Sequence, residues 1–291
     1  MSSFHLDKLF SPRSVALIGA SPRPTSPGRA ALRNLCGAGF KGPIYLINPH
    51  YDEIEGVRAA RSLDDLPEVP DLVVIAAPPQ AVPAVVTAAG AKGVAAGIII
   101  TAGLGHGAGS LAENAAASAR AKGLRLVGPN CLGVMVPGAG LNASFAASMP
   151  NRGDLALISQ SGAIVAGLVE WAATRSIGFS AIVSLGDDID VDFGDLLDFF
   201  SLDRSTRAIL LYVESIKDAR KFMSAARAAA RAKPVVVVKS GRHRQGAKAA
   251  MTHTGALAGA DAVYDAAFRR AGLLRVIGLD SCSRRRRRSD A

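Results

Sequence analysis

SVALIGASPRPTSPG, residues 14–28, runs from a short apolar stretch into a Gly-Ala-Ser turn and on toward an Ala-rich segment. A brief apolar run that gives way to a turn and then a helix is how a strand buried on both faces of a parallel sheet reads. In such sheets ligands bind in the crevice beyond the carboxyl ends of the strands, which makes residues 19–28 the first candidate site. Gly19 permits a tight turn. The small Ala20 and Ser21 leave backbone N–H groups reachable at the start of the next helix, an arrangement that favours phosphate.

The pattern repeats along the chain. Strands are expected at 14–18, 43–47, 71–76, 96–101 and 124–127, with helices between most of them, forming a five-strand unit. Residues 128–153, GPNCLGVMVPGAGLNASFAASMPNRG, are crowded with Gly, Pro, Asn and Ser and show neither helical nor strand period, so they read as a connection between domains. A second unit follows, with strands at 154–159, 179–183, 207–213 and 234–239. The expected class is α/β: two tandem doubly wound parallel-sheet domains at 1–150 and 151–280, then a tail at 281–291.

The 291 residues are 49% hydrophobic and 20% charged, with mean hydropathy +0.24, which describes buried interiors under a modest charged shell. Three cysteines, Cys36, Cys131 and Cys282, cannot pair evenly and lack metal-ligand spacing, so a reduced, cytoplasmic setting without a metal site is expected. The charge-free stretches 93–112 and 126–151 are broken by Gly, Pro or Asn, and MSSFHLDKLF carries Asp7 and Lys8 where a signal peptide needs an apolar block. Neither a membrane span nor export is expected.

The formal charge of +10 raises the question of nucleic acid. Residues 281–291, with five Arg and one Asp, supply +4 of it and follow the last hydrophobic pattern without any period of their own. The ten Phe, four Tyr and one Trp are not interleaved with Lys and Arg as a base-stacking platform requires. A small anionic ligand accounts for the balance equally well, and nucleic acid is not expected.

A dinucleotide site would need GxGxxG and an acidic residue ending the second strand. The loop departs from that fingerprint at its third position, and the second strand ends Asn48-Pro49-His50. An NAD-dependent oxidoreductase remains a competing reading, as does a plain structural turn. In the second unit Ser159-Gln160-Ser161-Gly162-Ala163 sits between a strand and an Ala-rich helix, where hydroxyls and the positive helix end would surround an oxyanion, although serines also cap helices that bind nothing. Glu214 ends the next strand but one. The loop at 240–259 holds His243 and His253, the latter in Thr-His-Thr-Gly, where small neighbours leave an imidazole accessible as a nucleophile.

SQSGA, the strand ending in Glu214 and KSGRHRQGAKAAMTHTGALAGADAVYDAAFRRAG together resemble the NDP-forming acyl-CoA synthetases, which include ADP-forming acetyl-CoA synthetase and the alpha chain of succinyl-CoA synthetase. SVALIGASPRP, NPHYDEIEG, VVIAAPP, IIITAG and GPNCLG resemble that family's CoA-binding domain, so the likeness extends over residues 8–278. It implies a Rossmann-like CoA-binding domain followed by a flavodoxin-like ligase domain. It implies that Gly19, Ala20, Ser21 and Pro22 cradle CoA phosphates, that Ala77, Pro78 and Pro79 line the same groove, and that Asn130 and Cys131 lie near its thiol end. His253 matches the phosphorylated histidine, Glu214 the carboxylate that positions it, and Ser161 and Gly162 the helix start that holds phosphoryl oxygens.

The implied reaction joins an acid to CoA at the expense of an NTP, by way of an acyl phosphate and a phosphohistidine. Several features depart from the pattern. His50 stands where related sequences often carry Lys, Ala76 or Ala77 where threonine is common, and a basic tail where a hydrophobic continuation belongs. Neither an ATP-grasp region nor GxxxxGK[ST] is present, so ATP or ADP and Mg would be held by an ATP-grasp partner, and assembly into an oligomer is expected. The competing reading within the resemblance is a non-catalytic module that senses CoA or acyl-CoA for a protein acetyltransferase.

Overall fold

The computed structural model describes residues 4–241 and 261–277. Helix α1 (Leu6–Phe10) leads into β1 (Val15–Ile18), whose four residues are all buried, as a strand covered on both faces requires. Helix α2 (Pro27–Gly37) begins with Pro at its first position and Ser26 as its cap. Next come β2 (Ile44–Ile47), the short β3 (Glu53–Ile54) and β4 (Val57–Ala60), β5 (Leu72–Ile75), α3 (Val82–Ala91), β6 (Ala96–Ile99), α4 (Leu111–Lys122) and β7 (Arg125–Val127). They form one sheet in the order β3-β4-β2-β1-β5-β6-β7, parallel except for the β3–β4 pair. The five expected strands are present; β3 and β4 are additions of two and four residues at one edge.

The segment read as an irregular connection instead starts the second sheet. It contains β8 (Gly133–Val136) and β9 (Leu141–Ser144), an antiparallel pair. Gly133, at φ +118°, lies so close to the opposite strand that a Cβ would sit 2.2 Å from the Ala143 carbonyl oxygen. The sheet continues with β10 (Arg152–Ser159), α5 (Gly162–Ala173), β11 (Phe179–Ser184), α6 (Phe193–Leu202), β12 (Ala208–Val213), α7 (Ala219–Ala232), β13 (Val235–Lys239), α8 (Asp261–Ala271) and β14 (Leu274–Val276). The order is β14-β13-β12-β10-β11-β8-β9, and β8 runs antiparallel to β11. Helix α7 shows how the sequence dictates packing: Phe222, Ala225, Ala226 and Ala229 recur at helical spacing and are buried, while Arg220, Arg227 and Arg231 face outward.

Each sheet reverses its strand order at one place. The neighbours of β1 are β2 and β5, and those of β10 are β11 and β12. The loops after β1 and β10 therefore open at the two switch points, where adjacent crossovers diverge and leave a crevice.

The sheets share an apolar core. Phe10 of α1 stacks on Phe199 of α6 at 4.6 Å and tilts against Phe200 at 4.9 Å, and one buried cluster runs through both units. The loop after β11 runs beside β7, with Ile189 N–H donating to the Gly128 carbonyl at 3.2 Å and Val191 N–H to that of Leu126 at 3.0 Å. Burying side chains such as Phe10 and Leu9 is worth about 1.5–3 kcal/mol each, so this seam holds the switch points in a fixed relation. Among the described residues no helix is long and apolar enough to cross a membrane.

Candidate functional site

The turn after β1 lies directly on the turn after β5. Gly19 has φ +88°, donates its N–H to Ile47 at 3.1 Å, and approaches so closely that a Cβ would sit 2.7 Å from backbone atoms of Ala76 and Ala77. Asn48, at the position where a dinucleotide fold would carry an acidic residue, is instead a buried brace. Its Nδ2 donates to the Ala20 carbonyl at 2.7 Å, and its Oδ1 accepts from the His50 N–H at 2.8 Å. Thr101, after β6, donates its hydroxyl to the Ala77 carbonyl at 2.7 Å. Four strand ends, those of β1, β2, β5 and β6, are thereby tied into one rim.

The expected anion contact at the start of α2 is altered by the helix's own capping. Ser26 Oγ accepts the Gly28 N–H at 3.2 Å, and the Ser26 carbonyl accepts those of Arg29 and Ala30. The N–H groups of Ala20 and Ser21 donate to no acceptor among the described residues, and Arg23 stands on the same wall. Ala20 is fully buried, so an anion in this loop would meet Ser21 and Arg23 rather than the helix terminus.

In the second sheet Ser159 and Ser161 fold the turn upon itself. Ser159 Oγ donates to the Ser161 carbonyl at 2.8 Å and accepts the Ser161 N–H at 3.1 Å. Ser161 Oγ accepts from Ile164 N–H at 3.5 Å, capping α5, and Gly162 is the first residue of that helix. Glu214 follows β12, and its charge, after burial, helps push the Tyr212 hydroxyl up.

Both turns open into one cleft of about 1180 Å³ between the sheets. Gly19, Ala20, Ser21, Ala77 and Pro78 line one wall, Ser161, Gly162 and Glu214 the other, with Asn130 and Cys131 at the join. Pro22 and Pro79 do not line it; Pro79 starts a short 3-10 turn leading into α3. His253 and His243 lie outside the described residues. Among the described residues no group of His, Cys, Asp and Glu could hold a metal ion.

Cys131 borders the cleft but is buried, donates its thiol to the Ile99 carbonyl at 3.2 Å, and is pushed up to about 12 by burial. It supplies shape rather than a thiolate. Asn130, with φ 57°, donates its N–H to Thr101 at 3.0 Å and its side-chain amide to Asp187 at 3.2 Å, so it spans the two units.

Sequence reasoning quoted Gln160 only as part of the turn at 159–163 and gave it no role, and it missed Asp188 and Lys217. Gln160 is buried and separates the main cleft from a second one of about 560 Å³, bordered by His106, Glu113, Asp187, Asp188 and Lys217. Burial pushes the Asp188 carboxyl up to about 6 against the pull of Lys217. No local signal marks these residues, because their partners come from the ends of different strands.

Residues 13–137 match a CoA binding domain and residues 152–283 a succinyl-CoA ligase like flavodoxin domain. The alpha subunit of ADP-forming acetate–CoA ligase I from Pyrococcus furiosus is 44% identical over 277 residues, covering 93% of this chain and 60% of that subunit. ADP-forming 4-hydroxybutyrate–CoA ligase from Nitrosopumilus maritimus is 39% identical over 275 residues, covering 92% of this chain and 39% of that enzyme. The structure of Ca. Korarchaeum cryptofilum dinucleotide forming acetyl-coenzyme A synthetase 1 in complex with phosphate and ADP superposes with a TM-score of 0.90 at 38% identity, over 96% of this chain and 61% of that one. The chain thus spans about 60% or less of these relatives. With two matched domains in the order its motifs imply, the chain belongs to the NDP-forming acyl-CoA synthetase family.

Proposed function

We propose that this chain is the CoA-binding, alpha-type part of an NDP-forming acyl-CoA synthetase, which joins a small carboxylic acid to CoA while an NTP becomes NDP and phosphate. The observation that carries this reading is the meeting of two switch-point loops in one cleft, Gly19, Ala20 and Ser21 facing Ser161, Gly162 and Glu214. Nucleotide and Mg²⁺ belong to an ATP-grasp partner, consistent with the fraction of each relative that this chain spans.

The wall formed by Gly19, Ala20, Ser21, Ala77 and Pro78 suits CoA. It offers the Ser21 N–H, the Arg23 cation and an apolar surface for the remainder of the molecule. Bound there, CoA supplies the thiol that accepts the acyl group. The start of α5 at Ser161 and Gly162 is fixed before any ligand arrives, so its N–H dipoles need no reorganisation to stabilise phosphoryl oxygens. Glu214 is assigned to hold the His253 imidazole in the tautomer whose free nitrogen attacks. In the synthetic direction His253 takes the terminal phosphoryl group of the NTP and releases NDP. It then passes that group to the acid, and the acyl phosphate yields acyl-CoA and inorganic phosphate.

The test combines the chain with an ATP-grasp subunit of the family, Mg²⁺ and ATP labelled at the terminal phosphate. Acid-labile label on His253, lost in H253N, is the expected result. An unlabelled His253 in a chain that still binds CoA would replace the ligase with a CoA-sensing module.

A further inference from the structure

The loops after β10, β11 and β12 are joined by one polar chain. Gln160 Oε1 accepts the N–H groups of Glu214 at 2.7 Å and Ser215 at 2.9 Å, while Gln160 Nε2 donates to Asp188 Oδ2 at 2.9 Å. The other Asp188 oxygen pairs with Lys217, whose ammonium also donates to the Asp187 carbonyl at 2.5 Å and the Asp188 carbonyl at 3.2 Å. Gln160 and Asp188 are both buried.

The orientation of the Gln160 amide follows from its neighbours. Two N–H donors stand on one side and a carboxylate on the other, so only the oxygen can face the strand tip and only the NH₂ the carboxylate. Turned over, the amide would oppose donor to donor and acceptor to acceptor, a costly arrangement in a buried site. Asp188 thus fixes Gln160, and Gln160 fixes the backbone from which the Glu214 side chain departs.

We infer that Gln160 and Asp188 are positioning residues for Glu214: the Asp188 carboxylate orients the Gln160 amide, which clamps the tip of β12 and sets where the Glu214 carboxylate stands in the cleft. This rests on the ligase reading, in which Glu214 acts on His253. Neither residue takes part in a bond-making step. Their contribution lies in geometry, where a displacement near 1 Å costs on the order of 100-fold in rate.

The test exploits the polarity of the clamp. In Q160E the carboxylate still accepts both N–H groups but brings no hydrogen of its own to Asp188. It repels Asp188 once the pH exceeds that at which the two carboxyls share a proton, so the assays run from about pH 7 to about pH 9 and are read where labelling no longer changes with pH. In Q160E/D188N the amide and carboxylate exchange places and the hydrogen bond returns. With the ATP-grasp subunit and labelled ATP, Q160E is expected to slow labelling of His253 by about 10- to 100-fold, and Q160E/D188N to restore it to within about threefold of wild type. Adding E214Q to Q160E should slow labelling no further than the slower single variant, because both act through one carboxylate. Full activity in Q160E, no rescue in the double variant, or fully multiplicative losses with E214Q would each overturn the inference.

Crystal structures of wild type and Q160E give a readout independent of activity. A β12 tip displaced at Glu214 in Q160E supports the clamp, and an unmoved tip overturns it. If wild-type His253 takes no label, the ligase reading fails, and the crystal structures alone decide whether Gln160 sets the position of Glu214.

Discussion

Arg125, on the last strand of the first sheet, donates from Nε to Oδ2 of Asp190 in the second unit at 3.0 Å. Its Nη2 reaches Asp195 Oδ2 at 3.1 Å, and Lys221 meets the same Asp195 oxygen at 2.7 Å. Arg125 is 13% exposed at its side chain and Asp195 only 2%, so this network is screened far less than a surface pair. It lies on the seam that keeps the two switch points facing each other.

Replacing Arg125 with Met removes the cation and leaves Asp190 and Asp195 short of a partner. The loss should be on the order of 3 kcal/mol of unfolding free energy, read from urea unfolding. Because the damage falls between the units, calorimetry should also show weaker CoA binding. Unchanged stability would mean that the apolar seam around Phe10 and Phe199 holds the units together alone.

Asp188 should leave a mark on the pH dependence of stability. Burial raises its carboxyl from an ordinary 3.8 to about 6, opposing the attraction of Lys217, while Asp192 adds a smaller upward push. Between those values the folded state holds a proton that the unfolded state has released, so the contribution of this group falls as pH rises through the window. D188N has no such titration. The stability of wild type minus that of D188N should decline by up to about 3 kcal/mol across the window, measured by denaturant unfolding at a series of pH values.

G19A tests the contact between the turns after β1 and β5. Alanine would be strained at φ +88°, and its Cβ would press on the backbone of Ala76 and Ala77. A loss of about 2 to 4 kcal/mol is expected, with CoA binding reduced because the rim must open to make room. Thermal unfolding and calorimetry check the two effects separately.

The two described cysteines should differ in reactivity. Cys36 is exposed, whereas Cys131 is buried with its thiol pushed up to about 12. Alkylation of the native protein with iodoacetamide, followed by peptide mass spectrometry, should modify Cys36 while sparing Cys131 until the chain is denatured. Rapid native labelling of Cys131 would show that the join of the cleft opens in solution.

The fold was readable where burial on both faces left its trace. Runs such as VALI at 15–18 and VVVVK at 235–239 are apolar because parallel strands have no wet side, and they became β1 and β13. The strands β8 and β9 were not readable. GVMV and LNAS are four residues each, set among Gly, Pro and Asn, and they are strands because β11 stands beside β8 and β8 beside β9. The loops after β1 and β10 could be singled out because ligands bind beyond the carboxyl ends of parallel strands and small residues mark both turns, whereas the strand order that makes them switch points came only with the structure. That Asn48 braces Ala20 could not, since its side chain crosses to a loop distant in sequence.

From the residues alone came the α/β class, the two tandem units, the family resemblance and the choice of Gly19, Ser161 and Glu214 as candidates, because apolar period and turn chemistry are local properties. The three-dimensional packing alone decided that both turns share one cleft, that Cys131 is sealed, and that Gln160 joins Asp188 to the backbone of Glu214. Those facts depend on groups far apart in the chain that meet only when buried polar atoms must find partners, and that demand arises only once the sheets have folded against each other.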